Sequence, residues 1–234
     1  MNIYGKNVVK DYLLSGEAIK KIYITPNFKE KEILDLIKKR NCQVVSIKKE
    51  QMDRMVDGLH QGIVAEVKEF QYTDLQAMIK ENGFLVILDH LEDPHNFGAI
   101  IRTCEAAGVD GMIIPKDRSV CVNPTVMKVS TGAITNVKIA RVTNIQHTIE
   151  ELKKRGYWII GTDMKGTSYK KIDYTGSIAI VIGNEGYGMR PLVSKSCDFI
   201  ATIPMKGQTN SLNASVATGI VVFEASVERG KHGL

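Results

Sequence analysis

Short apolar runs alternate with amphipathic stretches along most of the chain, which is the pattern of an α/β protein. From Phe84 onward, six compact runs are rich in β-branched residues: FLVILDHL, GMIIP, NVKIARV, YWIIGTD, SIAIVIG and DFIATIPM. Near-continuous apolar runs of this length are typical of strands that are buried on both faces. We therefore predict an α/β domain with a mostly parallel sheet over residues 83–234.

The first third of the chain shows the same alternation on a smaller scale. The runs KIYIT, CQVVSI and GIVAEV predict strands, and the two glycines of DGLHQG predict a tight turn before the third. The stretch KEKEILDLIKKR places Ile33, Leu34 and Ile37 on one face of a helix. We predict a small α/β domain over residues 1–68 and a polar linker with one short helical stretch over residues 69–82.

For two helices of the larger domain, the sequence also predicts where the helix begins or ends. The stretch NFGAIIRTCEAAG predicts a helix that packs through Phe97, Ile100 and Cys104 and stops at Gly108. The final helix is predicted to begin near Ser211, because serine is a common N-cap residue.

Composition excludes several classes of protein. The 234 residues are 44% hydrophobic and 24% charged, values that suit a folded protein and not a disordered one. No apolar run reaches the ~18 residues of a membrane span, and MNIYGKNVVKDY lacks the apolar stretch of a signal peptide. We expect a cytoplasmic protein without a membrane partner. The four cysteines include no C-x-x-C pair, so we predict neither a disulfide framework nor a zinc site.

The formal net charge of +5 is unevenly distributed. Residues 1–68 hold 13 basic and 9 acidic residues, whereas residues 69–234 hold 18 and 17. A solvated basic surface and a domain that meets a polyanion such as RNA both account for this excess. Charge alone leaves the two interpretations open.

The loop DHLEDPHNFG follows the first strand of the larger domain, where an open α/β sheet binds its ligands. It contains neither G-x-G-x-x-G nor a P-loop, and the chain has no G-x-S-x-G elbow, which disfavours dehydrogenases, NTPases and α/β-hydrolases. The irregular spacing of its acidic and histidine residues, interrupted by Pro94, disfavours a metal site. These are Asp89, His90, Glu92, Asp93 and His95.

Three later segments are dense in small and polar residues. The first runs from Asn96 through Gly98 to Arg102 on the predicted helix. The second, residues 182–188, surrounds Glu185 with three glycines, which let the backbone approach a ligand closely. In the third, six side chains between residues 208 and 215 are amides or hydroxyls, which bind polar groups without carrying charge.

Together these segments resemble the signature motifs of the SpoU/TrmH family of RNA ribose methyltransferases, in the SPOUT class. The matching patterns are N-x-G-x-x-x-R at 96–102, G-N-E-G-x-G at 183–188 and I-P-M followed by S-L-N-A-S-V-A at 203–217. GKNVV and HQGIVAE are similar to the family's amino-terminal substrate-binding domain, which is like ribosomal protein L30e. Within the family, the chain is most similar to the 23S rRNA guanosine 2'-O-methyltransferases.

The resemblance implies a trefoil knot in the larger domain, a homodimer formed through that domain, and S-adenosylmethionine as methyl donor without a metal. It implies that the donor is bound by backbone groups at Gly183, Ile203 and Leu212, with Thr162 and Met205 nearby. It also implies catalytic or substrate-fixing roles for Arg102, Glu185, Asn96, Ser211 and Asn213. Because a guanidinium stays protonated in proteins, we expect Arg102 to hold a phosphate or the developing alkoxide while solvent or a neighbour completes deprotonation.

Alternatives remain within and outside the family. In one alternative, the methylated nucleotide is a tRNA guanosine or an rRNA adenosine. In another, the chain is a catalytically silent RNA-binding homologue. A small-molecule methyltransferase of the ordinary doubly wound kind is disfavoured, because that class has a glycine-rich loop after its first strand.

Overall fold

The computed structural model describes residues 1–208 and 211–234. The chain divides into two compact units, one made of residues 1–71 with 123–128 and the other of residues 72–122 with 129–234. Each unit has its own sheet.

The first unit holds a four-stranded mixed sheet in the order β1-β4-β2-β3. Its elements are β1 (Asn2–Tyr4), α1 (Lys6–Ser15), β2 (Ile19–Ile24), α2 (Lys31–Lys39), β3 (Val44–Ser46), α3 (Lys49–Asp53) and β4 (Ile63–Val67). Strand β4 is antiparallel to β1 and β2, and β3 is parallel to β2. The predicted helix is present as α2, which buries Ile33 and Ile37 in the unit's core. Strand β1 has only three residues and no apolar run, so the hydrophobic pattern does not predict it.

The second unit holds six strands in the order β10-β8-β9-β5-β6-β7. The chain continues through β5 (Phe84–Leu88), α4 (Pro94–Ala106), β6 (Gly111–Pro115), α5 (Pro124–Val129), β7 (Lys138–Val142), α6 (Ile145–Lys154), β8 (Trp158–Ser168), β9 (Ile178–Ile182), α7 (Pro191–Ser196), β10 (Phe199–Thr202) and α8 (Ala214–Lys231). Every neighbouring pair is parallel, which confirms the predicted α/β fold with a mostly parallel sheet. Strands β5, β6 and β9 are buried along their whole length, as their continuous apolar runs predict.

Strand β8 is longer than its apolar run predicts. It pairs with β10 in two stretches, with Ile200 opposite Gly161 and then Ala201 opposite Thr167, so that the residues between bulge out of the sheet. Gly166 permits this close approach, because a Cβ there would lie 2.3 Å from the Ile200 carbonyl oxygen. The bulge contains Thr162 and the exposed Met164.

The final helix begins later than predicted. Asn213, and not Ser211, is its N-cap, because the Asn213 side-chain oxygen accepts the backbone N–H groups of Ser215 at 2.9 Å and Val216 at 3.4 Å. Helix α4 likewise begins two residues before Asn96, with Asp93 as its cap and Pro94 in its first turn.

Residues 72–82, which directly follow Gln71, pack with the second unit. The Thr73 N–H donates to the Ile139 carbonyl, a single 3₁₀ turn spans Leu75–Ala77, and Met78 is buried in the core of the second unit. Leu75 and Ile79 also pack against that core, so the apolar residues of this stretch contribute to the packing of the second unit. None of the described helices is long and apolar enough to cross a membrane.

Candidate active site

The parallel strands place the loops that follow them at one edge of the second unit's sheet. The loops after β5, β6, β9 and β10 therefore share an edge, the position where open α/β sheets bind ligands. The amide-rich stretch after β10 includes Thr209 and Asn210, which lie outside the described residues.

Three of the predicted site residues form one hydrogen-bonded chain. Asn96 Nδ2 donates to Glu185 Oε1 at 3.1 Å, and Asn213 Nδ2 donates to Asn96 Oδ1 at 2.9 Å. The Asp93 backbone N–H also donates to Glu185 Oε1 at 3.3 Å. Asn96 is buried, and a buried amide needs hydrogen-bond partners. Side chains from two other segments supply a partner to each end of this amide. This chain joins the loop after β9 to the starts of α4 and α8.

The loop that carries Glu185 folds back on itself. Asn184 and Gly188 exchange two backbone hydrogen bonds, at 2.9 and 3.0 Å, and Asn184 Oδ1 accepts the Gly186 N–H at 2.8 Å. A Cβ at Gly183 would lie 2.3 Å from the Gly188 carbonyl carbon, so only glycine fits there. The exposed Glu185 and Tyr187 project from this closed loop.

The base of the same loop rests on a buried carboxylate that the sequence analysis weighed only as a metal ligand. Asp89 is fully buried; its Oδ2 accepts the Arg190 backbone N–H at 2.7 Å, and its Oδ1 accepts His90 Nδ1 at 2.7 Å. The His90 carbonyl accepts Asn184 Nδ2 at 2.7 Å, and His90 has the left-handed φ of 62° that this geometry requires. Asp89 and His90 thus hold both ends of the loop.

Of the remaining acidic residues of that segment, Asp93 has a structural role. Asp93 caps α4 through the His95 N–H at 2.9 Å. Within the described part of the chain, no three histidine, cysteine or acidic side chains are grouped as metal ligands would be. The sequence signal for Asp89 was its position directly after a buried strand, where a carboxylate needs partners.

The residues expected to hold a cofactor offer free backbone groups and apolar surface. Among the described residues, the backbone groups of Gly183, Ile203 and Leu212 have no hydrogen-bond partner. Met205 and Leu212 are exposed, at 39% and 37%, and Thr162 Oγ1 donates to the Val181 carbonyl at 3.0 Å. Free amide and carbonyl groups beside apolar side chains suit a planar heterocycle with polar edges.

Arg102 and Ser211 stand outside the hydrogen-bonded chain. Arg102 is exposed on α4 and lines a cavity of about 690 Å³ together with Phe223 of α8 and the segment from Val129 to Asn136. Neither the Arg102 nor the Ser211 side chain has a hydrogen-bond partner among the described residues. Glu185 contacts Asn96 and not Arg102.

Two cysteines of the second unit, the buried Cys104 and the half-buried Cys197, are ordinary free thiols. Burial raises the pKa of Cys104, on the same helix as Arg102, and raises the pKa of Cys197 to about 12. Both thiols are therefore neutral near pH 7 and unsuited to nucleophilic attack. The hydrogen-bonded chain at this edge consists of two amides and one exposed carboxylate, and the guanidinium of Arg102 lies apart from it.

Comparison with known proteins gives this arrangement a context. The model of the SpoU rRNA Methylase family matches residues 83–223, and the model described as RNA 2'-O ribose methyltransferase substrate binding matches residues 2–73. The chain is 44% identical over 241 residues to a protein of Staphylococcus saprophyticus assigned to the TrmH family of tRNA/rRNA methyltransferases. That match covers 99% of this chain and 97% of the relative.

Solved structures show the same fold. The AdoMet-bound rRNA methyltransferase of Sinorhizobium meliloti is 28% identical, with a TM-score of 0.68 over 100% of this chain and 87% of that one. The SpoU methyltransferase AviRb of Streptomyces viridochromogenes, crystallised with AdoMet, is 22% identical, with a TM-score of 0.76 over 97% of this chain and 89% of that one.

Replacing Gly183 by alanine tests the closed loop. We expect Gly183→Ala to lower the free energy of unfolding by about 1–3 kcal/mol, because the new methyl group meets backbone atoms that cannot move independently. Gly186→Ala is the matched control, since its Cβ would meet only Asn184 Oδ1 at 3.5 Å, and we expect a change within about 0.5 kcal/mol. Urea unfolding measures both. Equal effects would contradict the close contact between Gly183 and Gly188.

Proposed function

The chain belongs to the SpoU family of RNA methyltransferases, and from this premise we propose that it methylates the ribose 2'-hydroxyl of a guanosine in 23S rRNA, in the cytoplasm. The observation that carries the proposal is the hydrogen-bonded chain of Glu185, Asn96 and Asn213, which unites all three motifs of the family at one edge of the sheet. Methylation of a tRNA ribose is the second candidate, because the relatives assigned to the TrmH family are named for both tRNA and rRNA.

The methyl donor is S-adenosylmethionine, which supplies a methyl group on a positively charged sulfur. The free backbone groups of Gly183, Ile203 and Leu212 fit this molecule, because amides and carbonyls recognise the polar edge of adenine. Met205 and Leu212 would cover its apolar faces, with Thr162 beside them. We propose that these loops belong to a trefoil knot and bind the donor in a bent form.

The reaction is an in-line displacement at the methyl carbon. The ribose oxygen forms a bond to carbon as the carbon–sulfur bond breaks, and the hydroxyl proton is released to solvent or a neighbouring group. Because a guanidinium is not a base in proteins, the role of Arg102 is to hold an adjacent phosphate or the developing alkoxide. Glu185 would orient the ribose while Asn96 holds that carboxylate in place.

The remaining motif residues fix the substrate. Asn213 already uses its oxygen to cap α8 and its nitrogen to hold Asn96, so it would act by keeping the loop after β10 in position. Ser211, two residues away, has an exposed hydroxyl with no hydrogen-bond partner in the described part of the chain, and this hydroxyl would contact the substrate directly. Neutral hydrogen-bonding groups suit this task because they orient a ribose without attracting its phosphates.

The first unit would bind the RNA. It matches the family's substrate-binding model and carries most of the chain's excess positive charge. We propose the domain limits 1–68 for this substrate-binding domain, 69–82 for the linker and 83–234 for the catalytic domain. The presence of the additional domain favours rRNA over tRNA as substrate.

We further propose a homodimer formed through the catalytic domain. Val216, Phe223 and Val227 recur at helical spacing on α8 and are exposed at 51%, 45% and 58%. Phe223 also lines the cavity that contains Arg102. A second copy docked on this face would cover the apolar side chains and complete the walls of that cavity.

Transfer of a labelled methyl group tests the proposed reaction. Purified protein is incubated with S-[methyl-³H]adenosylmethionine and total RNA from cells that lack the gene, and labelled positions are mapped in rRNA and tRNA. We expect label on one 23S rRNA guanosine 2'-oxygen. Label on tRNA would select the second candidate, and donor binding without transfer to either RNA would indicate a silent homologue.

Removing the guanidinium tests the role of Arg102. We expect Arg102→Ala to lower kcat at least 100-fold, because the alkoxide or phosphate loses its cationic partner, while the dissociation constant for S-adenosylmethionine changes less than about twofold. Calorimetric titration and single-turnover methyl transfer measure the two quantities. Loss of donor binding would contradict this assignment.

A charge on α8 tests the dimer. We expect Phe223→Glu to convert the protein to a monomer, because a desolvated carboxylate in an apolar interface costs several kcal/mol. Leu192→Glu is the matched control, since Leu192 is exposed at 61% on α7, and it should leave the mass unchanged. Light scattering after size-exclusion chromatography measures the mass. A Phe223→Glu protein with the wild-type mass would overturn this choice of interface.

A further inference from the structure

The loop after β6, residues 116–120, is fixed at both ends. At its start, the Lys116 N–H donates to the Val142 carbonyl at 2.8 Å and the Lys116 carbonyl accepts Arg141 Nη2 at 2.8 Å. At its end, Ser119 Oγ and the Val120 N–H both donate to the Leu91 carbonyl, at 3.0 and 2.7 Å. The side chains between these anchors are therefore presented by a rigid segment.

This segment is attached to the candidate active site. Leu91 is fully buried in the loop after β5, two residues before Asp93, whose N–H donates to Glu185. The two hydrogen bonds to the Leu91 carbonyl consequently tie the loop after β6 to the same backbone that holds the catalytic carboxylate. Both loops follow parallel neighbouring strands and emerge at the same edge.

Arg118 occupies this segment in an unfavourable conformation. Its φ of 51° lies in the left-handed region, which costs an arginine on the order of 1 kcal/mol relative to glycine. The side chain is exposed and has no hydrogen bond or ion pair among the described residues. No contact of the described residues therefore offsets the conformational cost of an arginine at this position. Backbone strain kept without a structural return is a signature of a functional position.

Lys116 adds a second cation to the same loop. Its ammonium group is exposed and has no ion pair in the part of the chain that the structure describes. The intervening carboxylate of Asp117 is exposed too and pairs with neither cation. Two free cations thus stand on a rigid loop beside the site.

We propose that Lys116 and Arg118 bind the RNA phosphates next to the methylated nucleotide and so position its ribose at Glu185. The inference deepens the proposed function and rests on it. A guanidinium binds a phosphate through two parallel hydrogen bonds, which fixes orientation as well as attraction. A rigid mount makes that contact directional, as the placement of one ribose oxygen in line with a methyl group requires.

Charge-neutral variants of this loop test the proposal. We expect Lys116→Gln/Arg118→Gln to raise the KM for RNA at least tenfold and to lower kcat, because a ribose that is no longer held in line reacts more slowly, while the dissociation constant for S-adenosylmethionine stays unchanged. The matched control is Lys154→Gln/Arg155→Gln, which removes one lysine and one arginine from the exposed end of α6 at the opposite edge of the sheet. We expect the control to behave like the wild type.

Two further measurements separate a phosphate contact from a structural effect. Fluorescence anisotropy with a labelled single-stranded RNA, repeated at several salt concentrations, should give a slope of log Kd against log salt that is shallower by about 0.7 for each lost phosphate contact. Arg118→Gly should unfold at the same or a higher urea concentration than the wild type, because glycine adopts the left-handed conformation freely, and yet should bind RNA more weakly.

These measurements test the role of Lys116 and Arg118 separately from the proposed methyl transfer. If the wild type transfers no methyl group to any RNA, the proposed function fails, and the salt slopes still decide whether this loop contacts phosphates. An unchanged KM and slope in the double variant overturns the inference. An equal loss in the Lys154→Gln/Arg155→Gln control also overturns it, because the effect is then one of net charge.

Discussion

The alternation of donors and acceptors from Glu185 through Asn96 to Asn213 fixes how the three motif segments meet. A carboxylate accepts only, so the amide nitrogen of Asn96 must face it, and the amide oxygen of Asn96 must then face Asn213. At the far end, the backbone N–H groups of α8 require the Asn213 oxygen, which turns its nitrogen toward Asn96. Neither amide can flip without breaking at least two hydrogen bonds, so loops from distant parts of the sequence share one fixed arrangement.

The parallel sheet was predictable because its strands are apolar on both faces, whereas the exact ends of elements were not. Ser211 and Asn213 are both good caps, and only the contact between Asn213 and Asn96, 117 positions apart, decides between them. Strand β8 extends past its apolar run because β10 pairs with it twice. In each case a contact between segments that are distant in the sequence decides where the element ends. Hydrophobic periodicity reports only on neighbouring residues, so it does not contain this information.

The site was predictable to a similar degree. Glu185, Asn96 and Asn213 come together as their motifs imply, while Arg102 lies apart from them beside Phe223. The support from Asp89 went unrecognised, because its partner Arg190 is about a hundred positions away and an acidic residue in a polar loop looks like a solvated one. Resemblance between motifs names candidate site residues, and the coordinates show which of them touch.

The N-cap of α8 has a consequence for biosynthesis. Asn96 and Glu185 both leave the ribosome before Asn213, so a nascent chain carries two thirds of the polar relay while its final amide is still untranslated. Until that amide arrives, the oxygen of Asn96 lacks this donor. Every residue of the first unit is translated before Asn213, whereas the hydrogen-bonded chain of Glu185, Asn96 and Asn213 closes only with the last helix.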